Sequence, residues 1–263
     1  MDDRPRFSVM EMFRLDGRVA VVTGAGKGLG RIAALALAEA GARLAVLDLD
    51  AGTAAQTVRE IAECGGTARA FTCDVGEEAQ VTATFDAVAE AFGGIDILVN
   101  NAGIARREPA EDMPTATWDE VIRINQTAVF LCTREAAKRM LAKGRGAIVN
   151  VASIMGVTGG GYYPNLPYHA SKGAVVNMTR ALAAEWGRRG VRVNAIGPTF
   201  TETDLTASLR ANKQVMAYVE ERTPMGRFAK PEEMAGAILY LASPAASAVT
   251  GITLLVDCGW TAI

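Results

Sequence analysis

The stretch LPYHASKGAVVNMTR, residues 166–180, sets Tyr168 four residues before Lys172. On a helix that spacing puts both side chains on one face. A free phenol has a pKa of about 10 and is seldom ionised at neutral pH. An ammonium one turn away favours the phenolate, and a further cation nearby would add to the effect. Each unit of lowering corresponds to ~1.4 kcal/mol. A phenol tuned in this way can take a proton from an alcohol or return one to a ketone. Ser153, which closes the apolar run GAIVNVAS, could hydrogen-bond the reacting oxygen, and Asn125 lies in the long helical stretch before that run. On spacing alone, a buried tyrosine beside a snorkelling lysine is the better explanation of the pair.

These residues need elements to position them, and the chain supplies a regular alternation. RVAVVTG, RLAVLDLD, ARAFTCDV, IDILVNNAG, GAIVNVAS, VRVNAIGP and GITLLVDCG read as strands. Amphipathic helical stretches stand between them, among them the long ATWDEVIRINQTAVFLCTREAAKRMLAKG and a helix opened by Pro167, which suits a first-turn position. Continuous Val/Ile/Leu strands without polar alternation mark a parallel sheet buried on both faces. Strict β-α alternation predicts an α/β fold, a doubly wound, parallel, seven-stranded sheet between two helical layers. The whole chain, 1–263, reads as one domain. About 1–14 form an N-terminal extension, and about 199–230, a polar excursion between a strand and a helix, form a candidate substrate lid.

The loop VVTGAGKGLGRIA follows the first strand and opens the first helix. Gly24, Gly26, Gly28 and Gly30 allow a tight turn and let a pyrophosphate approach the helix N-terminus, where free N–H groups and the dipole favour an anion. The spacing is G-x-x-x-G-x-G, because Leu29 falls where the common dinucleotide fingerprint has its third glycine. A plain strand-to-helix turn would use the same glycines. Asp48 ends the second strand, where a carboxylate accepts hydrogen bonds from an adenosine ribose and repels a 2′-phosphate. Asp50 competes for that role, and Lys27 would favour a 2′-phosphate. The balance favours NAD over NADP.

With 263 residues, half of them hydrophobic, and a formal net charge of -2, the chain has no basic footprint for nucleic acid. Cys64, Cys73, Cys132 and Cys258 lie far apart with no C-x-x-C, and the single His169 completes no metal set, so reduced core thiols and no metal site are expected. The start MDDRPRFSVMEMF lacks the apolar stretch of a signal peptide, and no run approaches ~18 apolar residues, so a cytoplasmic protein without a membrane span is expected.

Taken together, TGAGKGLG, NNAG at 100–103, Asn125, Ser153, the Y-x-x-x-K of Tyr168 and Lys172, and the closing VDCGW resemble the short-chain dehydrogenase/reductases, from about Leu15 to the C-terminus. The resemblance implies a Rossmann fold and hydride transfer between nicotinamide and a carbonyl or secondary alcohol. It implies Tyr168 as acid/base, Ser153 holding the substrate oxygen, Lys172 lowering the tyrosine pKa and binding ribose, and Asn125 supporting a water-linked proton path. For the cofactor it implies Gly24, Lys27, Gly28, Leu29 and Gly30 at the loop. Asp48 and Leu49, Asp74 and Val75 would meet the adenosine, and Asn101, Ala102 and Gly103 would line the cleft with Pro198, Thr201 and Thr203. A homotetramer is also implied. Three departures stand out: Thr199 and Cys258 where the family has glycine, and a long segment between Ser153 and Tyr168. Arg106 and Arg107 stand at the substrate edge, where an arginine could clamp a carboxylate. SLRANKQVMAYVEERTPMGR and VDCGWTAI resemble sugar-acid and polyol dehydrogenases such as the gluconate 5-dehydrogenases. Tyr162, Tyr163, Trp260 and several methionines would suit an apolar cyclic alcohol. Arg106, Tyr163 and Ser153 are the candidate substrate contacts. The alternatives are an NADPH-dependent 3-oxoacyl reductase or cyclic ketone reductase and, in a different class, a dinucleotide sensor without catalysis.

Overall fold

A computed structural model describes residues 8–263. Its elements in chain order are β1 (Val19–Thr23), α1 (Gly28–Glu39), β2 (Arg43–Asp48), α2 (Ala51–Glu63), β3 (Thr67–Thr72), α3 (Glu78–Phe92), β4 (Ile97–Asn100), α4 (Thr115–Ile122), α5 (Ala128–Lys143), β5 (Gly146–Val151), α6 (Leu166–Trp186), β6 (Val191–Pro198), α7 (Ala207–Arg210), α8 (Lys213–Arg222), α9 (Ala235–Ala242) and β7 (Thr253–Val256). The seven strands form one sheet in the order β3-β2-β1-β4-β5-β6-β7, with every pairing parallel. The chain reverses direction across the sheet between β1 and β4. Loops leaving the carboxyl ends there open a crevice where ligands bind in such folds.

Successive strand residues point to opposite faces, and both faces are covered. Ala20, Val22, Leu44, Val46 and Val99 pack under α1, α2 and α9 through Ala33, Leu37, Ile61, Ile238 and Leu241. Val19, Val21, Ala45, Leu47 and Leu98 pack on the other side against Phe85 of α3, Met140 of α5 and Trp186 of α6. This is why the inner strands read as unbroken apolar runs. β3 departs from that pattern. It lies at the sheet edge with β2 as its one neighbour, and four of its six residues are exposed, which admits Thr67, Arg69 and Thr72.

The long stretch after β4 is helical but not uniform. α4 and α5 are joined by a π turn at Arg123–Thr127 that carries the fully buried Asn125. Pro167 does lie in the first turn of α6. The excursion after β6 has a core of its own: Phe200, Leu209, Val215, Val219 and Phe228 pack with Ile154, Met155 and Trp260. Of the N-terminal extension, residues 1–7 lie outside the described part. Residues 10–13 form one 3-10 turn whose Phe13 ring stands 6.4 Å from that of Tyr240 on α9. Cys258, in a family glycine position, has φ 53°, the one positive φ of a non-glycine among the described residues.

A buried polar ladder crosses the sheet just behind the crevice. Asn100 Nδ2 donates to Thr133 Oγ1 at 2.8 Å and to Asn150 Oδ1 at 2.9 Å; Asn150 Nδ2 donates to Thr179 Oγ1 at 2.9 Å, and Thr179 Oγ1 to the Val175 carbonyl at 2.8 Å. It ties β4, β5, α5 and α6 in one register. Asn150→Ala breaks its centre and strands two buried groups, so unfolding stability should fall by about 2–4 kcal/mol in urea titration. A change within about 0.5 kcal/mol, the size of an ordinary surface substitution, would show that the ladder holds nothing.

Candidate active site

α1 begins at the crevice with its N–H groups uncapped by any side chain and with no acid in its first turn. The preceding loop is held close to β4 by Asn101, whose Nδ2 donates to the carbonyls of Thr23 and Gly24, both at 3.0 Å. Gly30 is fixed by the same contact: a Cβ there would lie 2.1 Å from the Gly24 oxygen. Gly24, Lys27, Gly28, Leu29, Asn101, Ala102, Gly103, Tyr168, Lys172 and Thr203 therefore surround one cleft of about 250 Å³, with Val151, Asp204 and Leu205 completing its walls. An uncapped helix end beside glycines, facing a cleft of this depth, fits the pyrophosphate and nicotinamide half of a dinucleotide.

Asp48 lies outside that enclosed part, at the end of β2. Its carboxylate accepts from the Gly26 N–H at 2.8 Å and the Asp50 N–H at 3.0 Å. Asp50 is instead the N-cap of α2, accepting from Gly52 and Thr53. The Asp50 carboxylate is thus engaged by its own helix. Leu49 is exposed beside Asp48; Val75 is buried, and Asp74 accepts from the Gly76 N–H at 2.8 Å and pairs with Arg123 at 3.3 Å. Pro198 ends β6. Thr201 is turned inward, its hydroxyl donating to the Thr199 carbonyl at 3.0 Å, so of the two threonines expected at the cofactor only Thr203 faces the cleft.

On α6, Lys172 is buried and its Nζ donates to the Val151 carbonyl at 2.7 Å, standing 5.5 Å from the Tyr168 ring centroid. Ser153, at the mouth of β5, accepts from the Met155 N–H at 3.1 Å, and its hydroxyl, which shares a pocket wall with the phenol, favours the phenolate. Burial outweighs that help: it pushes Tyr168 up to about 12, with Arg107 also pulling downward. Lys172 is itself pulled down to about 8 by burial. The neighbouring Lys172 does not by itself offset this burial. Without a second positive charge, desolvation of the phenolate wins.

Asn125 is bound to the segment after β4. Its Oδ1 accepts from the Ile104 N–H and its Nδ2 donates to the Ile104 carbonyl, both at 2.8 Å, with Ser171 Oγ at 3.3 Å. The amide is fully engaged and acts by fixing the segment after β4. A Cβ at Gly103 would lie 3.3 Å from Asn125 Oδ1 and 3.7 Å from Lys172 Nζ. A side chain there would press on the Asn125 amide and only touch the lysine. His169 is tied through Nδ1 to the Asn165 carbonyl at 2.8 Å, a local helix contact.

A second, smaller pocket of about 60 Å³ opens behind Tyr168, lined by Ser153, Tyr163, Asn165, Thr199, Phe200 and Arg107 among others. Arg106, the expected substrate arginine, is instead committed to Glu120, with Nη2 at 2.6 Å and Nε at 2.9 Å. The neighbouring Arg107 takes the pocket position, stacked 5.0 Å from the Tyr163 ring centroid. Tyr163 is at the pocket as expected, its pKa raised by burial.

The geometry meets its family at this point. A family model described as enoyl-(acyl carrier protein) reductase matches residues 24–261. This chain belongs to the short-chain dehydrogenase/reductases. It is 44% identical over 261 residues to the D-threitol dehydrogenase of Mycolicibacterium smegmatis, covering 99% of each chain. To the 2-dehydro-3-deoxy-D-gluconate 5-dehydrogenase of Escherichia coli it is 39% identical over 255 residues, covering 97% of this chain and 99% of that one. The crystal structure of a gluconate 5-dehydrogenase from Burkholderia cenocepacia, in complex with NADP and tartrate, superposes with a TM-score of 0.93 at 38% identity, over 97% of this chain and 100% of that one. Membership in the short-chain dehydrogenase/reductases makes the chain an oxidoreductase acting on alcohol groups.

Burial of Lys172 has a measurable consequence. A lysine whose pKa is lower folded than unfolded carries fewer protons in the native state, so its contribution to stability rises with pH between the folded value, about 8, and the unfolded value, 10.5. The stability of the wild type relative to Lys172→Met should therefore increase between pH 7.5 and 10, by about 2 kcal/mol in urea unfolding. A pH-independent difference would contradict the assignment.

Proposed function

We propose that the protein is an NAD-dependent dehydrogenase that interconverts a secondary alcohol and a ketone on a sugar acid or polyol, with Tyr168 as acid/base. One observation carries this reading: Tyr168 and Lys172 line the same cleft as the glycine loop and the Asn101–Gly103 segment, and Tyr168 shares the adjoining small pocket with Ser153. The bound dinucleotide supplies the hydride acceptor, and in its oxidised form a positive charge. Ser153 holds the substrate oxygen, and Tyr168 Oη receives the hydroxyl proton as the C–H bond gives up its hydride and the carbonyl forms. Lys172, anchored by Val151, keeps its ammonium beneath the phenolate. Running backwards, the same groups protonate the alkoxide of a reduced ketone.

Asp48 supports NAD. Its carboxylate is pinned at the end of β2 by two backbone N–H groups, where it accepts from a ribose and repels a 2′-phosphate. Lys27, exposed at the start of α1, and the NADP named with the Burkholderia relative favour the NADP reading. The sugar-acid and polyol class rests on the relatives' names together with the polar lining behind Tyr168. The homotetramer of the family resemblance belongs to the same reading, and Phe130, an exposed phenylalanine on α5, supports it.

Two experiments test this. Tyr168→Phe should lower kcat by about 10³-fold while NADH still binds by fluorescence, since a positioned acid/base contributes on the order of 10²–10⁴; unchanged turnover would refute the role. Asp48→Ser should raise the NADP/NAD ratio of kcat/KM by about 100-fold, because like-charge juxtaposition costs several kcal/mol. Wild-type enzyme that turns over NADP as fast as NAD would refute the cofactor assignment.

A further inference from the structure

A separate cavity of about 360 Å³ opens at the amino ends of β4, β5 and β6, at the opposite end of the sheet from the cleft. β5, six residues long, lies between this cavity and Val151 of the cleft, a span of roughly 17 Å. Arg18, Arg145 and Arg192 line the cavity, and Asp96 is the one acid on its wall among the described residues. Asp96 does not neutralise that wall. Its Oδ2 accepts from the Val19 N–H at 3.0 Å, and its Oδ1 faces three cations: Lys143 Nζ at 3.5 Å, Arg145 Nη2 at 3.6 Å and Arg18 Nη1 at 4.0 Å. Three positive charges thus share one negative charge, and both guanidinium groups stand beyond hydrogen-bond distance.

Arg192 adds a fourth positive charge, with no acid paired to it among the described residues. Its Nη1 donates to the Leu241 carbonyl at 2.8 Å and its Nη2 to the Ser243 carbonyl at 3.1 Å, with the Val249 and Ala242 carbonyls at 3.5 Å. These acceptors fix the guanidinium but carry no formal charge. Burial pulls its pKa down, as expected for a cation short of compensation. Arg188 and Arg189 stand exposed on the turn between Gly187 and Gly190, two glycines of the same wall. A protein with a formal net charge of -2 therefore gathers its cations around one recess, where they repel one another until an anion enters.

We propose that this cavity is a second ligand site, which binds a small molecule bearing a multivalent phosphate group. The cations reach it from separate elements: Arg18 precedes β1, Arg145 precedes β5 and Arg192 lies within β6. A tetrahedral oxyanion offers oxygens in all of these directions, whereas a planar carboxylate suits a single fork. Ser247, exposed at the rim, adds a hydroxyl donor. A recess of this size between strand ends suits a small molecule and not a polymer. The site stands apart from the dehydrogenase reading, because no residue lines both this cavity and the dinucleotide cleft.

Calorimetric titration with inorganic pyrophosphate at constant ionic strength provides the test, on the wild type, Arg145→Gln, Arg18→Gln and Asp96→Asn. Each arginine variant should weaken binding about 10-fold, the size of one charge-assisted contact at a partly exposed side chain. Asp96→Asn should tighten binding, because the competing carboxylate is gone while an amide oxygen can still accept from Val19. Both arginines are partly exposed, so their variants keep the test open if Asp96→Asn does not fold. Pyrophosphate can also sit at the N-terminus of α1, so each titration is repeated with saturating NAD, under which binding at this cavity should persist. Citrate should bind more weakly than pyrophosphate. No pyrophosphate binding to the wild type, binding that both arginine variants leave unchanged, or binding that NAD abolishes would overturn the site. Equal affinity for citrate would overturn the phosphate assignment, and a DNA duplex that binds more tightly than pyrophosphate would overturn the small-molecule assignment.

Discussion

The site depends on an ammonium and a phenol held together in a desolvated wall on successive turns of α6. Each opposes its own charged form. The phenol is pushed up by burial and the ammonium is pulled down by it. Such a pair is poised rather than active, because forming the phenolate requires positive charge to arrive from outside the pair. Ser153 and Arg107 contribute part of the needed stabilisation, and an oxidised nicotinamide over the same cleft would contribute the rest. Burial in this wall disfavours the phenolate of Tyr168.

The surrounding fold can be understood as the means of holding that wall still. The Asn100–Asn150–Thr179 ladder fixes β4 and β5 against the helices that carry the site. Asn101 straps the glycine loop to β4, and Asn125, held in a π turn, fixes the backbone after β4 at Ile104. Four asparagine side chains direct their hydrogen bonds to neighbouring segments, two of them directly to backbone, so the cleft is shaped before any ligand enters. The segment after β6 brings its own aromatic core over the substrate side, with Phe200 5.3 Å from Trp260 between ring centroids.

The scaffold was legible in the sequence where one physical rule governs a long stretch. Val19–Val22 and Leu44–Leu47 are apolar at every position because both faces of an inner strand are covered, and the glycine loop follows from the close approach of Gly30 to Gly24. β3 was less legible because an edge strand needs no such run. The π turn left no mark, since Arg-Ile-Asn-Gln-Thr contains neither proline nor glycine and differs from an α turn only in its hydrogen bonding. Arg106 and Arg107 are adjacent in an irregular segment with no period to orient them, and only the position of Glu120 decides which one turns away. Thr199 did leave a signal, a residue with a side chain where the family pattern has none. The direction of the Tyr168 shift was hidden for a different reason: the groups that desolvate it come from segments far apart in sequence.

The most direct test is the ionisation of Tyr168 itself, followed by ultraviolet difference titration of the wild type against Tyr168→Phe, with and without saturating oxidised dinucleotide. The free protein should show this phenol titrating near 12, and bound cofactor should bring it down by at least about two units as the missing positive charge arrives. A phenol that already titrates at or below 10 in the free protein, or one that cofactor does not move, would contradict the claim that desolvation holds the base neutral until the cofactor binds.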